Sequence, residues 1–230
     1  MGIDADVEAV LFDIDETLCE YERTPADLLS IAFDRVGVEQ FFTAQEYIGR
    51  FTEFVADADD VDTVRERTFA SLAEKRGYDP SIGRRIADVY AAERDHSRVR
   101  WIEGARDVIS SFEGTYRLAA VTNGPPGMQS EKLKALGVDG TFETVVFAGF
   151  DTPAKPDPLP FERALETLGT TPASAIYVGN SLRADVQGAQ NAGLPAIWLS
   201  DGTVDPSPTP DFVVDSLREL LDRPWLESRV

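Results

Sequence analysis

From residue 101 to residue 221 the chain alternates between two sequence patterns, and that alternation limits the fold more than any other feature. Short β-prone runs at Tyr116–Val121, Thr144–Ala148, Ala173–Val178, Ala196–Leu199 and Phe212–Val214 are interleaved with helical periods. The helical periods cover Gly104–Phe112, Met128–Leu136, Pro158–Leu168, Leu182–Ala192 and Leu217–Leu221. Three of these close on a glycine, at 137, 169 and 193, as helix C-termini often do. Strands alternating with helices predict an α/β fold with a Rossmann-like, doubly wound parallel sheet. Right-handed crossovers then bring all the strand C-termini to one edge, where such sheets bind ligands.

An earlier strand is expected at residues 7–13. It ends in Asp13-Ile14-Asp15-Glu16-Thr17. Residues i and i+2 share a face of an extended strand, so the two carboxylates are expected to crowd together. Crowded and buried carboxylates repel, and a divalent cation or a shared proton relieves the repulsion. Asp13 reads as a nucleophile, Asp15 as its acid–base partner and a divalent metal as the missing charge. A polar turn at a strand end would give the same two residues, so the rest of the chain has to decide.

Between this strand and the next, the pattern is helical. Thr24-Pro25-Ala26-Asp27 supplies an N-cap, a proline at the first helical position and an acid in the first turn. Thr43-Ala44-Gln45-Glu46 fits a capping box, opening a helix with Tyr47, Ile48, Phe51, Phe54 and Val55 on one side. Two more helices start at Asp62 and at Asp79-Pro80. The expected division is a catalytic core of residues 1–17 and 98–230 and a helical cap of residues 18–97. Inserted after the first strand, the cap would act as a lid that excludes water from the reacting atoms.

Composition narrows the function classes. The net charge is −19, from 41 acidic and 22 basic residues, which argues against nucleic-acid binding through a basic face. Only Lys75, Lys132, Lys134 and Lys155 are lysines. An acidic, lysine-poor chain is expected from a salt-loaded cytoplasm, where screening removes self-repulsion; this is the halophilic expectation. No run of about 18 apolar residues suggests a membrane span. The acidic opening MGIDADVEAV lacks the features of a signal peptide, so a cytoplasmic location is expected. Cys19 is the one cysteine and reads as a small buried residue. His96 is the one histidine and reads as structural or solvated. Arg50 and Arg67 are placed to face either an anionic substrate or solvent. Trp101 and Tyr116 read as core or hinge packing.

Four strand ends are expected to meet at one edge. They bring Asp13 and Asp15, then Thr122, Asn123 and Gly124, then Lys155, then Asn180, Ser181 and Asp185. Carboxylates, a lone lysine and hydroxyl or amide donors suit phosphoryl transfer through an aspartate. The carboxylate attacks, while cations and N–H groups hold the phosphoryl oxygens.

In this order the motifs resemble those of the haloacid dehalogenase (HAD) superfamily of hydrolases. The resemblance is to the phosphatase branch with a helical cap after the first strand. It rests on Val10-Leu11-Phe12-Asp13-Ile14-Asp15-Glu16-Thr17, Val121-Thr122-Asn123-Gly124, Lys155-Pro156-Asp157-Pro158 and Val178-Gly179-Asn180-Ser181-Leu182-Arg183-Ala184-Asp185. Gln129 to Leu133 is similar to the sugar-phosphate and nucleotide phosphatases of that superfamily. The resemblance implies that Asp13 becomes phosphorylated, that Asp15 protonates the leaving alcohol and then activates water, and that Lys155 steadies Asp13 and the phosphoryl group. It implies phosphate contacts from Thr122, Asn123 and Gly124, and Mg²⁺ held by Asp13, Asp15 through its carbonyl, position 180 and Asp185. Here the chain departs from the family, with Asn180 where an aspartate is usual. The charges of Asp13, Asp15 and Asp185 sum to −3, which Mg²⁺ and Lys155 balance.

The leading expectation is therefore a Mg²⁺-dependent phosphatase acting on a small phosphorylated metabolite, of the sugar phosphate, phosphoglycolate or nucleotide type. A 2-haloacid dehalogenase would carry an aromatic residue in place of Asp15. A phosphosugar mutase needs cap contacts that slow water attack. Asn180 also leaves room for a non-enzymatic phosphate-binding or regulatory protein with a weakened metal site. Oligomeric state is not written in the sequence.

Overall fold

The computed structural model describes residues 7–51, 53–54 and 60–227. Residues 1–6, which bear on the targeting expectation, and Val55 of the expected second helix lie outside the described residues. The chain divides into two compact units, one of Met1–Glu20 with Val99–Val230 and the other of Tyr21–Arg98.

The first unit is built on a six-stranded sheet in the order β5-β4-β1-β6-β7-β8. The strands are β1 (Ala9–Phe12), β4 (Arg117–Thr122), β5 (Thr144–Phe147), β6 (Ala175–Gly179), β7 (Ala196–Leu199) and β8 (Phe212–Val214), and every adjacent pair is parallel. The doubly wound α/β expectation holds. β1 lies between β4 and β6, so the chain winds outward from it in both directions. That makes its C-terminal end the switch point, where the flanking loops diverge and leave a crevice.

Alternation along each strand feeds two cores. Val10 and Phe12 face one side with Ile176 and Val178, and pack on Val108, Ile109 and Phe112 of α5 (Ala105–Phe112) and Leu133 of α6 (Pro126–Leu136). Ala9 and Leu11 face the other side with Tyr177, against Phe161, Ala164, Leu165 and Leu168 of α7 (Leu159–Leu168). Trp101 and Tyr116 are partly buried against the first of these cores.

The second unit holds α1 (Pro25–Val36), α2 (Ala44–Phe51), α3 (Val61–Lys75) and α4 (Pro80–Glu93). The Thr24–Asp27 capping box forms. At α2, Thr43 N–H donates to Glu46 and Glu46 N–H to the Thr43 hydroxyl, at 2.9 and 3.2 Å. Phe33, Phe42, Tyr47, Phe69 and Tyr90 form its aromatic core. Ile48 is a correction to the expected apolar face, being 57% exposed. Tyr47 and Phe51, one turn apart, set the inward side of α2, and the next residue along lies about 100° round the helix.

Two elements were not expected. β2 (Cys19–Tyr21) and β3 (Val99–Trp101) pair in a two-stranded sheet. At three residues each they are too short to show a period in sequence. The expected helix at Leu182 opens as a π-helical turn, Leu182–Val186, before α8 (Gln187–Asn191). The chain finishes in a 3₁₀ turn at Leu217–Asp222 and α9 (Pro224–Glu227). No helix among the described residues is long and apolar enough to cross a membrane.

Candidate active site

The C-terminal end of β1 opens onto a cleft of about 280 Å³. Asp13, Asp15, Asn123, Gly124, Lys155 and Asp185 line it, with Ser181 and Ala184. Asp13 extends the β1 ladder by one bond, its N–H donating to Val178 O at 2.9 Å. The chain then reverses, with the N–H groups of Leu18 and Cys19 both donating to Ile14 O. Asp15 sits in that reversal.

Lys155 is the hub. Its Nζ lies 2.8 Å from Asp13 Oδ1, 2.7 Å from Asp185 Oδ1, 2.8 Å from Val121 O and 2.9 Å from the Tyr177 hydroxyl. An ammonium has three protons, so four oxygens share them. Tyr177 also lies 2.9 Å from Asp185 Oδ1, close enough for its hydroxyl to donate onward. Lys155 and Asp185 are buried and Asp13 is 7% exposed. Burial pulls the Lys155 pKa down, but Asp13 and Asp185 outweigh it and leave the ammonium above its ordinary value. For Asp13 the balance is reversed. Burial raises its pKa, Lys155 lowers it, and Asp185 and Asp15 raise it again, leaving it at about 7. One ammonium divided between two buried carboxylates does not fully compensate either of them.

The supporting groups are spent on holding this hub. Asn123 Oδ1 accepts from Lys155 N–H at 2.8 Å and its Nδ2 donates to Lys155 O at 3.2 Å. The Asn123 amide therefore locks the lysine loop. Thr122 is buried, and its hydroxyl oxygen accepts from Gly124 N–H at 3.1 Å. Asp185 Oδ2 accepts from Ser181 N–H at 2.8 Å. This draws the carboxylate back over the π-helical turn; wide turns of this kind recur at functional sites. Gly179 is required here, because a Cβ on it would come within 2.5 Å of the Asp185 side chain.

Asp15 and Asn180 stand apart from the hub. Asp15 turns to α6, where Gln129 Nε2 donates to Oδ2 at 2.6 Å and Lys132 Nζ pairs with Oδ1. Asn180 Oδ1 accepts from the buried Thr17 hydroxyl at 3.3 Å, and its backbone carbonyl accepts from Trp198 Nε1 at 2.8 Å. Sequence reasoning missed Gln129, Lys132 and Tyr177 as site residues. The available signal was a buried-face pattern in α6, where Gln129 and Lys132 share a side with Leu133. With Lys132 included, three carboxylates face two ammonium groups, a net of −1 before any metal binds.

Among the described residues, no group of three or more carboxylate, thiol or imidazole side chains is spaced to share a metal ion. The donor chemistry nevertheless suits Mg²⁺. The side-chain donors facing the cleft are hard oxygens, and the under-compensated Asp13 marks a place where a further cation would be favourable. Of the other residues singled out from sequence, His96 Nδ1 lies 2.7 Å from the Tyr21 hydroxyl, Arg50 pairs with Glu53 at 3.2 Å and Arg67 is exposed, all in the helical unit. Cys19 is buried, and burial pushes its thiol up to about 12.

A family model described as haloacid dehalogenase-like hydrolase matches residues 7–193. The chain is 35% identical over 158 residues to a phosphoserine phosphatase of Thermus thermophilus, covering 68% of this chain and 63% of that protein. It thus spans less than two thirds of that relative. It is 31% identical over 229 residues to a glyceraldehyde 3-phosphate phosphatase of Methanopyrus kandleri, covering 94% of this chain and 96% of that one. Among solved structures, YfnB from Bacillus subtilis, described with bound magnesium, superimposes with a TM-score of 0.76 at 25% identity, covering 95% of this chain and 99% of that one.

Proposed function

The chain belongs to the haloacid dehalogenase-like hydrolases, and on that premise we propose that it is a Mg²⁺-dependent phosphatase that hydrolyses a small phosphomonoester through an aspartyl-phosphate on Asp13. The observation that carries this reading is Lys155, buried between Asp13 and Asp185 at the floor of the cleft. A lysine held there is placed to neutralise both the attacking carboxylate and the phosphoryl oxygens. The cleft volume of about 280 Å³ suits a small metabolite, being near the lower end of small-molecule sites.

Asp13 attacks phosphorus and the bond to the leaving oxygen breaks. Asp15 gives that oxygen a proton, then takes one from the water that attacks the phosphorylated Asp13. Inorganic phosphate leaves and the Asp13 carboxylate is restored. The Thr122 hydroxyl proton and the backbone N–H of Asn123 hold the phosphoryl oxygens, while the Gly124 N–H braces the Thr122 hydroxyl oxygen. Asp13, the Asp15 carbonyl, Asn180 and Asp185 would hold Mg²⁺, whose chemistry is to offset charge on the phosphoryl group. Asp15 favours this reading over dehalogenation, since a halide leaves without a proton. The helical unit, Tyr21–Arg98, serves as the cap, and the enzyme acts in the cytoplasm.

The test is hydrolysis of p-nitrophenyl phosphate and a panel of phosphorylated metabolites, with and without Mg²⁺, in high salt. Turnover is expected to require Mg²⁺ and to vanish in Asp13→Asn. Equal rates for wild type and Asp13→Asn would refute it.

A further inference from the structure

We propose, resting on the phosphatase reading, that Gln129 and Lys132 are positioning residues that grip both oxygens of the Asp15 carboxylate from α6. The two stand three residues apart on the helix, so they share a face. They are 1% and 2% exposed, whereas the Asp15 side chain is 42% exposed. A lysine is rarely buried without a partner, and this one reaches Asp15 Oδ1 while Gln129 Nε2 takes Oδ2. A half-exposed carboxylate would otherwise rotate about its last bond. Two donors from one rigid helix fix its plane. Each carboxylate oxygen has two lone-pair sites, so one on each remains for the cleft.

Two further observations support a built arrangement. The Gln129 Oε1 atom is buried without a hydrogen-bond partner. The amide thus keeps its donor on Asp15 although its acceptor goes unsatisfied; the flipped amide would set oxygen against oxygen. Gly124 leaves the space that Gln129 occupies, because a Cβ there would lie 1.7 Å from Gln129 Nε2. The loop that faces the phosphoryl group and the grip on Asp15 are therefore fitted to each other. An acid–base group works only when aimed at the proton it transfers, and the grip supplies that aim.

Lys132→Met keeps the side-chain length and removes the charge. With Mg²⁺ present, it is expected to lower steady-state turnover of p-nitrophenyl phosphate by about tenfold or more, with KM falling in parallel so that kcat/KM changes less than about twofold. The burst of p-nitrophenolate on mixing should keep its wild-type rate to within about threefold, because that leaving group needs no proton; the later step, where Asp15 activates water, should slow. In Asp15→Asn the same substitution should cause no further loss. Equal slowing of burst and steady state, or an undiminished loss in Asp15→Asn, would overturn the proposal. Thermal melts of both single variants and the double variant provide a readout without turnover. Non-additive shifts support the grip and additive shifts refute it. If the wild type hydrolyses no phosphate ester, the phosphatase reading fails, and the melts still decide the contact.

Discussion

Replacing Asp13 by asparagine is expected to abolish turnover and to stabilise the metal-free protein above neutral pH. The carboxyl is 7% exposed, and burial, with Asp185 and Asp15 opposing Lys155, raises its pKa from 3.8 to about 7. A raised pKa means that the folded state holds the proton more tightly than the unfolded chain. The contribution of Asp13 to stability is therefore full below pH 3.8 and is lost as pH rises to about 7. At about 1.4 kcal/mol per tenfold change, the span corresponds to a loss on the order of 4 kcal/mol. Asparagine avoids that loss but gives Lys155 a weaker acceptor, so a net gain of about 2–4 kcal/mol at pH 8 is expected. For a chain of this size that is roughly 5–15 °C in melting temperature. The assay is a set of thermal melts of both proteins in EDTA at pH values from about 5.5 to about 8.5. The gap should widen as pH rises, and Mg²⁺ should narrow it by stabilising the wild type alone. A variant that melts below the wild type at pH 8, or a gap independent of pH, would refute the charge balance drawn from Asp13, Lys155 and Asp185.

Asn180→Asp is expected to lower the Mg²⁺ concentration for half-maximal activity by about tenfold, since one more carboxylate offsets the two lysines of the site; a Mg²⁺ titration of turnover checks it. Cys19 should not react with Ellman's reagent at pH 8 in the folded protein, where a thiol pushed up to about 12 is thiolate in only about one molecule in ten thousand, and one thiol per chain should appear on unfolding. With a net charge of −19, the melting temperature should rise from low salt to molar KCl as self-repulsion is screened; a flat profile would contradict the halophilic expectation.

The parts of the site that were legible in sequence are those attached to strand ends. Asp13, Thr122 and Asp185 follow runs whose burial and alternation are visible in one dimension, and a parallel sheet sends all such ends to one edge. The capping boxes at Thr24 and Thr43 were legible because each is closed within four residues. Ile48 was misplaced because an eight-residue helix holds too few turns to average out one apolar residue off the stripe. The strands β2 and β3 were missed because their pairing joins residues about 80 positions apart.

By itself, then, the sequence determined the alternating architecture, the order in which the motifs occur and the chemical types of the groups at the strand ends. All of these depend on local period and on rules of chain handedness. Only the tertiary structure decided which partners those groups meet. It turns Asp15 to Gln129 and Lys132, places Tyr177 beneath Lys155 and commits the Asn123 amide to the lysine loop. The physical reason is distance along the chain. These contacts join residues 22 to 117 positions apart, and no local preference encodes which helix face lies against which strand end until the sheet order has brought them together.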